Sequence, residues 1–222
     1  TRLDLDYNTA AAPVAGPGLY VLMASLEIAL PEAGWNLFAY PVQATRPVTE
    51  ALISIQEVYT TVYGYEGGSW LIYDKTLPPL LNTLHTLDFG RGYWISVTQP
   101  ITLNLKGAAL GTTAPLSPLP QPPASYYGPV VGGPGFAPEV GMAVRVWAGS
   151  EVCGQGRLQE VEGQVVYLVH VEAACAGPGT QLRFQVSDRW MVTTTSWSTA
   201  GTHWLPQAAF VQVYLPLVRR SE

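Results

Sequence analysis

The sequence predicts a mainly β protein with two β-rich domains joined by a proline-rich linker. Apolar and polar residues alternate in many short segments, as they do in strands that bury one face. Five prolines in the segment 112–124 remove backbone donors and exclude both helix and sheet. The chain has 222 residues, which allows the block on each side of this segment to bury a core of its own.

The linker sets the predicted domain boundaries. We expect it to adopt an extended polyproline conformation, at roughly 3.1 Å per residue. The predicted order along the chain is a flexible leader at 1–18, a β-rich module at 19–111, the linker at 112–124, a second module at 125–208, and a terminal strand and tail at 209–222.

The first module contains one predicted helix and one predicted hairpin. Apolar residues recur at helical spacing after Pro47, which predicts a short helix over 47–57. Aromatic runs at 59–65 and 70–74 flank a double-glycine turn, which predicts two antiparallel strands.

The second module is predicted to be an immunoglobulin-like β-sandwich, because turn signals recur about every ten residues. Gly154 and Gly156 indicate a bulge or a tight turn. Within the strand at 165–171, His170 is the one titratable side chain in an otherwise apolar pattern. We interpret it as a hydrogen-bonded sheet residue rather than a catalyst.

Composition excludes several classes of function. Charged residues make up only 12% of the chain, the formal net charge is −5, and two residues are lysine. A basic surface for nucleic acid is therefore not expected. A continuous apolar run long enough for a transmembrane helix is absent from the sequence. A weakly charged surface rich in Thr, Ser, Gln and Tyr suits a β protein of the cell exterior.

Cys153 and Cys175 are the only cysteines, and we expect them to form a disulfide. The alternative is two buried free thiols in a cytosolic protein. Two cysteines without histidine partners are too few for a structural zinc site, and we expect no cofactor or metal.

No catalytic motif occurs, so the chain is not expected to be an enzyme, although a triad could assemble in space. The seven tryptophans and twelve tyrosines have two interpretations. Most could fill two small cores, where large rings bury the most area. Alternatively, some could form a sugar-stacking face, for which Trp147 and Trp190 are the candidates.

Both blocks resemble secreted or cell-surface β modules of filamentous green bacteria. The resemblance of the first block runs from about residue 19 to 107, through Gly34-Trp35-Asn36-Leu37, Tyr40-Pro41-Val42, Tyr63-Gly64-Tyr65, Trp70, Tyr73-Asp74, Asn82 and Gly90-Arg91-Gly92-Tyr93-Trp94-Ile95. The resemblance of the second to small appended sandwich modules rests on Tyr127-Gly128, Gly141, Cys153-Gly154, Tyr167, Gly179, Leu182-Arg183-Phe184 and Trp190. It implies exported modules that serve as spacers, adhesins or carbohydrate-binding accessories.

The terminal segment is the predicted assembly element. Phe210 to Leu217 alternates apolar and polar residues, and a Tyr-Leu-Pro-Leu-Val-Arg ending is similar to those of exported proteins from the same bacteria. The segment could complete its own domain, or it could add to a sheet edge of another copy and so build a filament. The residues expected to make this contact are Phe210, Val211, Val213, Leu215 and Leu217.

The leading hypothesis is an extracellular structural protein, a subunit of a cell-surface coat, appendage or adhesive filament. Its expected partners are other copies of itself or other surface proteins. The alternative is a secreted pair of carbohydrate-binding modules, and a more remote one is a secreted enzyme with an unrecognised site.

Overall fold

The computed structural model describes residues 2–4, 9–11, 16, 24–107, 119–133, 135–206 and 210. The mainly β prediction is confirmed, because strands dominate these residues and their one α-helix has four residues. They group into two compact units, Thr1–Thr60 with Leu84–Ser117, and Thr61–Thr83 with Pro118–Glu222. The segment 61–83, which the sequence placed in the first module, therefore belongs to the second unit.

The described residues of the first half of the chain form ten strands and one α-helix. They are β1 (Arg2–Asp4), β2 (Thr9–Ala11), β3 (Ala24–Leu30), β4 (Gly34–Ala39), β5 (Arg46–Pro47), α1 (Val48–Ala51), β6 (Tyr59–Glu66), β7 (Ser69–Asp74), β8 (Thr86–Leu87), β9 (Gly92–Val97) and β10 (Ile101–Gly107). Single 3₁₀ turns cover Ile53–Ile55 and Pro79–Leu81.

The first unit is built from antiparallel pairs: β1 with β2, β3 with β10, β4 with β9, and β5 with β8. The pair β1–β2 lies within the stretch predicted as a flexible leader, whose other residues, apart from Gly16, fall outside the described part of the chain. Most of the predicted linker also falls outside it, so the boundary at 112–124 stays a prediction.

The predicted helix at 47–57 is shorter than expected. Val48, Leu52 and Ile55 are buried, as the spacing predicted. The α-helix ends at Ala51, however, and a 3₁₀ turn follows it. Its N-cap has no side-chain hydrogen bond, and Ile53 and Ile55 are β-branched, so little local preference extends the helix.

The predicted hairpin is confirmed as β6 and β7, which pair in register from Thr61 opposite Asp74 to Glu66 opposite Ser69. Gly67 and Gly68 form the turn with φ of 58° and 82°. Two consecutive positive φ values favour glycine at both positions, which explains the double glycine.

The rest of the second unit is one seven-stranded sheet in the order β16-β15-β12-β13-β14-β11-β17. Its neighbours are antiparallel except β11 and β17, which are parallel. The strands are β11 (Ala124–Pro129), β12 (Ala143–Ala148), β13 (Glu151–Val161), β14 (Gln164–Val171), β15 (Gln181–Val186), β16 (Arg189–Ser196) and β17 (Gly201–Trp204).

The long strand β13 divides this sheet into two layers. Its first part pairs with β12, and only its last four residues pair with β14. Tyr126 of β11 and Tyr167 of β14 each place their ring centroid 5.8 Å from that of Phe184 of β15, so rings from both layers meet in the core. The sandwich prediction is thus confirmed. The strand order is not that of immunoglobulin domains, because β12, β13 and β14 are consecutive neighbours in one meander.

The glycines of β13 allow it to approach β14 closely. A Cβ on Gly154 would lie 2.6 Å from the carbonyl oxygen of His170, and one on Gly156 would lie 2.6 Å from that of Leu168. The predicted bulge is also confirmed. Val146 of β12 pairs with Gly154 and the next residue, Trp147, pairs with Val152, so the register shifts by one residue of β13 beside Gly154.

Candidate functional site

The outer face of β14 and β11 carries a row of polar side chains that contacts the hairpin. Ser125 lies opposite His170 on one side and opposite Thr202 on the other. The Tyr63 hydroxyl of the hairpin lies 2.6 Å from Ser125 Oγ, which in turn lies 2.7 Å from His170 Nδ1. The Tyr63 ring also meets the His170 ring edge-on at 6.1 Å. The hairpin therefore forms a third layer of the second unit.

Asp74 makes the second connection between the hairpin and the sheet. Its Oδ2 accepts hydrogen bonds from Thr61 Oγ1 at 2.5 Å and from Thr202 Oγ1 at 2.9 Å. Its Oδ1 accepts from the backbone N and the hydroxyl of Thr76, at 2.7 and 2.6 Å. The carboxylate is 2% exposed, and these four donors replace the water it has lost.

Burial is the main cause of the shifted pKa values of His170 and Tyr63. Loss of solvent lowers the pKa of His170 to about 4, so the imidazole is neutral at neutral pH. Loss of solvent also raises the pKa of Tyr63, although its hydrogen bond with Ser125 opposes the shift. The prediction that His170 is a hydrogen-bonded sheet residue is confirmed.

Ser125 is adjacent to a histidine, as a serine nucleophile would be. The side chain is fully buried, however, and its Oγ lies between the Tyr63 hydroxyl and His170. A nucleophile must reach a substrate carbonyl, and an oxygen enclosed in this way does not. The geometry favours a fixed network that holds the hairpin over a serine hydrolase arrangement.

A cavity of about 640 Å³ adjoins the His170 end of this network. The turn and first residues of β7 form one wall, and strands β13 and β14 form another. The side chains and backbone that line it belong to Gly68, Ser69, Trp70, Glu151, Val152, Cys153, Gly154, Gln155, His170, Glu172 and Cys175.

The predicted disulfide is present and lies in the wall of this cavity. Cys153 and Cys175 are bonded across a sequence separation of 22 residues. Cys153 comes from β13, and Cys175 comes from the loop after β14. The bond therefore connects that loop to the first part of the strand, next to the register shift between β12 and β13.

The two tryptophans predicted to stack on glycans come together on the opposite layer. The rings of Trp147 on β12 and Trp190 on β16 have centroids 5.8 Å apart and planes at 56°. The guanidinium of Arg183 on β15 lies 4.2 Å from the centre of the Trp190 ring, and Trp147 Nε1 donates to Gln185 Oε1 at 3.1 Å. Both tryptophans are half-buried, so part of each ring faces solvent.

Other aromatic rings follow the first interpretation and fill the cores. Tyr40, Tyr63, Tyr126, Tyr167 and Phe184 are among the largest fully buried side chains. They bury large areas without charge, which is the role expected of aromatics in small cores.

Of the predicted assembly residues, Phe210 alone lies in the part of the chain that the structure describes. It bridges Met191 of β16 in an antiparallel sense, and its ring centroid lies 4.2 Å from that of Phe136. Because β16 ends the strand order, Phe210 lies at a sheet edge. Val211, Val213, Leu215 and Leu217 are outside the described residues.

The sequence analysis identified His170 but missed its hydrogen-bonded connection through Ser125 to Tyr63, and it missed the contact of Asp74 with Thr202. One signal was available: β14 is apolar at both sets of alternate positions, which indicates a strand covered on both sides. A two-layer sandwich leaves one of those sides open. The pattern does not say which distant segment supplies the cover.

Among the described residues, no helix is long and apolar enough to cross a membrane. Within the same part of the chain, no three His, Cys, Asp or Glu side chains are grouped so that they could hold a metal ion. No family model, curated protein or solved structure matches this chain.

Proposed function

We propose that the chain is an extracellular structural protein, a subunit of a cell-surface coat, appendage or adhesive filament. The observation that carries the proposal is the position of Phe210 at the β16 edge of the second sheet. An alternating apolar segment that starts at an open edge can pair at home or with another copy through the same main-chain hydrogen bonds. A head-to-tail exchange of this kind extends a filament.

Two further properties support an exterior location. The Cys153–Cys175 disulfide is typical of proteins that fold in an oxidising compartment. Charged residues are only 12% of the chain, so repulsion between closely packed copies is small. The partners proposed on this basis are other copies of the chain.

Removal of residues 209–222 tests the assembly role. If the terminal segment is donated, the shortened protein remains folded and becomes a soluble monomer by light scattering and negative-stain microscopy. If the segment completes its own unit, the second unit loses stability instead. A matched deletion of residues 1–18 serves as the control, and assemblies that survive both deletions would place the subunit contacts on the domain faces and reject terminal exchange.

Glycan binding is a second candidate, and the pairing of Trp147 with Trp190 favours it. The half-exposed indoles offer apolar ring area, and Arg183 and Gln185 add hydrogen-bonding groups next to them. Sugar rings stack on such surfaces through their C–H faces. A glycan array probed with the intact chain and with Trp147→Ala and Trp190→Ala tests this candidate.

A control tryptophan lies elsewhere in the same unit. Trp204 of β17 is 54% exposed and packs against Tyr127. The Trp204→Ala variant should retain whatever glycan binding the intact chain shows. Equal loss in all three variants would point to a general defect rather than a binding face.

A further inference from the structure

The strands β16, β15 and β12 are neighbours in the sheet, and they differ in charge from the rest of the chain. None of the three contains Asp or Glu, although the chain has 16 acidic residues and 11 basic ones. Their charged residues are Arg145, Arg183 and Arg189. This part of the second unit is therefore positive in a chain of net charge −5, and such an asymmetry favours contact with an anionic partner.

Two of these arginines project from the face of the layer that carries Trp147 and Trp190. Arg145 and Arg183 are exposed, and each lies between two buried residues of its strand, so both point away from the core. Arg145 pairs with Gln185, and Trp147 pairs with Arg183. The two arginines are therefore diagonal neighbours on one face, roughly 7–8 Å apart along the sheet.

Neither of these guanidinium groups is paired with a carboxylate in the described part of the chain. Arg189 provides the contrast, since its Nε lies 3.8 Å from Asp188 Oδ1. Arg183 instead lies over the Trp190 ring, 4.2 Å from its centre, and an aromatic ring does not neutralise its charge. Arginine N–H groups match the two oxygens of a carboxylate, so this pair of residues suits an acidic ligand.

The tryptophans place apolar ring area directly beside the two positive charges. The Trp147 and Trp190 ring centroids lie 5.8 Å apart. The hydrogen bond from Trp147 Nε1 to Gln185 Oε1 at 3.1 Å uses the polar group of that indole and fixes the ring. The rings therefore offer apolar contact and the arginines offer charge, a combination that suits a ligand with both C–H faces and carboxylates.

We propose that this face binds an acidic polysaccharide, a polymer of uronic acid units. Its carboxylates accept from Arg145 and Arg183, and its sugar rings stack on Trp147 and Trp190. The four side chains come from three neighbouring strands, which span about 10 Å, so an oligomer rather than a single sugar covers them. The inference rests on the glycan-binding candidate described above and adds the charge of the ligand, because a neutral sugar leaves both guanidinium groups without a charged acceptor.

Isothermal titration calorimetry of the full chain with hexagalacturonate and with its full methyl ester tests the proposal. The two probes share one sugar backbone and differ in charge. The acid should bind at least about tenfold more tightly than the ester at about 50 mM salt, and most of that difference should disappear at about 0.5 M salt, where ions screen the arginines.

Substitutions separate the charge from the rings. Arg145→Gln and Arg183→Gln should each weaken hexagalacturonate binding by about five- to tenfold and change ester binding by less than about twofold, whereas Trp147→Ala should weaken both. The matched control is Arg91→Gln, which removes the same charge from a first-unit arginine whose Nε lies 4.0 Å from Asp88 Oδ2. It should leave both affinities within about twofold. The folded state of each variant is verified from its amide spectrum.

Equal affinities for the acid and the ester would overturn the proposal and leave the glycan candidate in place. Failure of both probes to bind would also overturn it, and the glycan array then decides separately whether the face binds another sugar. Polyglutamate of similar length is the third probe, because it carries carboxylates without sugar rings. If it binds as tightly as hexagalacturonate, or if both arginine variants bind like the intact chain, specific recognition of an acidic sugar is rejected.

Discussion

Two clusters of the second unit differ in how deeply their side chains are buried. Where the hairpin packs on the sheet, the Asp74 carboxylate of the hairpin and the Ser125 hydroxyl of the sheet are buried and find their partners within the protein. In the cluster of Trp147, Trp190 and Arg183, the rings are half-buried and the guanidinium is exposed. The first arrangement fixes a distant segment in place, and the second leaves surface for a partner.

The difference shows that a contact can contribute mainly to stability in one place and leave surface accessible in another. Burial decides which, because an enclosed hydrogen bond that loses one partner exposes the full desolvation cost of the other. A half-exposed contact can exchange its partner for water at little cost. Substitutions of the buried polar residues between the hairpin and the sheet should therefore lower the free energy of unfolding strongly. Substitutions in the tryptophan cluster should lower it weakly.

The largest expected effect is that of Asp74→Ala. The change leaves the hydroxyls of Thr61 and Thr202 without their charged acceptor, and we expect a loss of roughly 4 kcal/mol in the free energy of unfolding. Urea denaturation measures it. Asp188→Ala is the control, since the Asp188 side chain is 85% exposed and its removal should change stability by less than about 0.5 kcal/mol. Equal effects of the two variants would contradict the role assigned to Asp74.

Reduction of the disulfide should have the next largest effect. A cross-link over 22 residues stabilises the folded chain by about 3 kcal/mol in the chain-entropy model. Thermal melts with and without reductant measure the difference, and intact-mass measurement after alkylation verifies the bond. Two alkylated thiols in the unreduced protein would contradict the structure.

Acid should weaken the second unit through His170. Its pKa is about 4 when folded and about 6.5 when unfolded, so the unfolded chain binds the extra proton first. The contribution of neutral His170 to the free energy of unfolding is fully present above pH 6.5. About 2 kcal/mol or more of that free energy is lost as the pH falls toward 4. Urea midpoints at pH 7 and pH 4.5 measure the loss. His170→Gln should show a flatter dependence, and an unchanged slope in that variant would assign the effect to other groups.

The smallest expected effect on stability is that of Trp147→Ala or Trp190→Ala. Each ring is half-buried, so we expect a loss of about 1 kcal/mol. A loss above about 3 kcal/mol would mean that the pair is part of the core and would weaken the argument for a binding face.

Structural features that depend on residues close in sequence were predicted well, because turns and strands follow from short-range rules. The hairpin turn follows from Gly67 and Gly68, and the alternation of β14 gave its strand and both of its faces. Trp147 and Trp190 were proposed together from their residue type alone, and the structure brings them to 5.8 Å.

Contacts between distant residues were not predictable in the same way. Tyr63 and Ser125 are 62 residues apart, and Asp74 and Thr202 are 128 apart. No local pattern encodes which strand covers β14. The immunoglobulin-like order was wrong for a related reason, since turn spacing gives the number of strands but not their neighbours.

The central claim is that the hairpin in Thr61–Thr83 is part of the second unit rather than of a separate domain. Comparison of the fragment 118–222 with the whole chain, by ¹H–¹⁵N NMR and urea denaturation, tests it most directly. The claim predicts that the fragment alone shows poorly dispersed amide signals or a greatly reduced midpoint, because the row of His170, Ser125 and Thr202 loses its cover. A well-dispersed spectrum with the midpoint of the intact protein would contradict it.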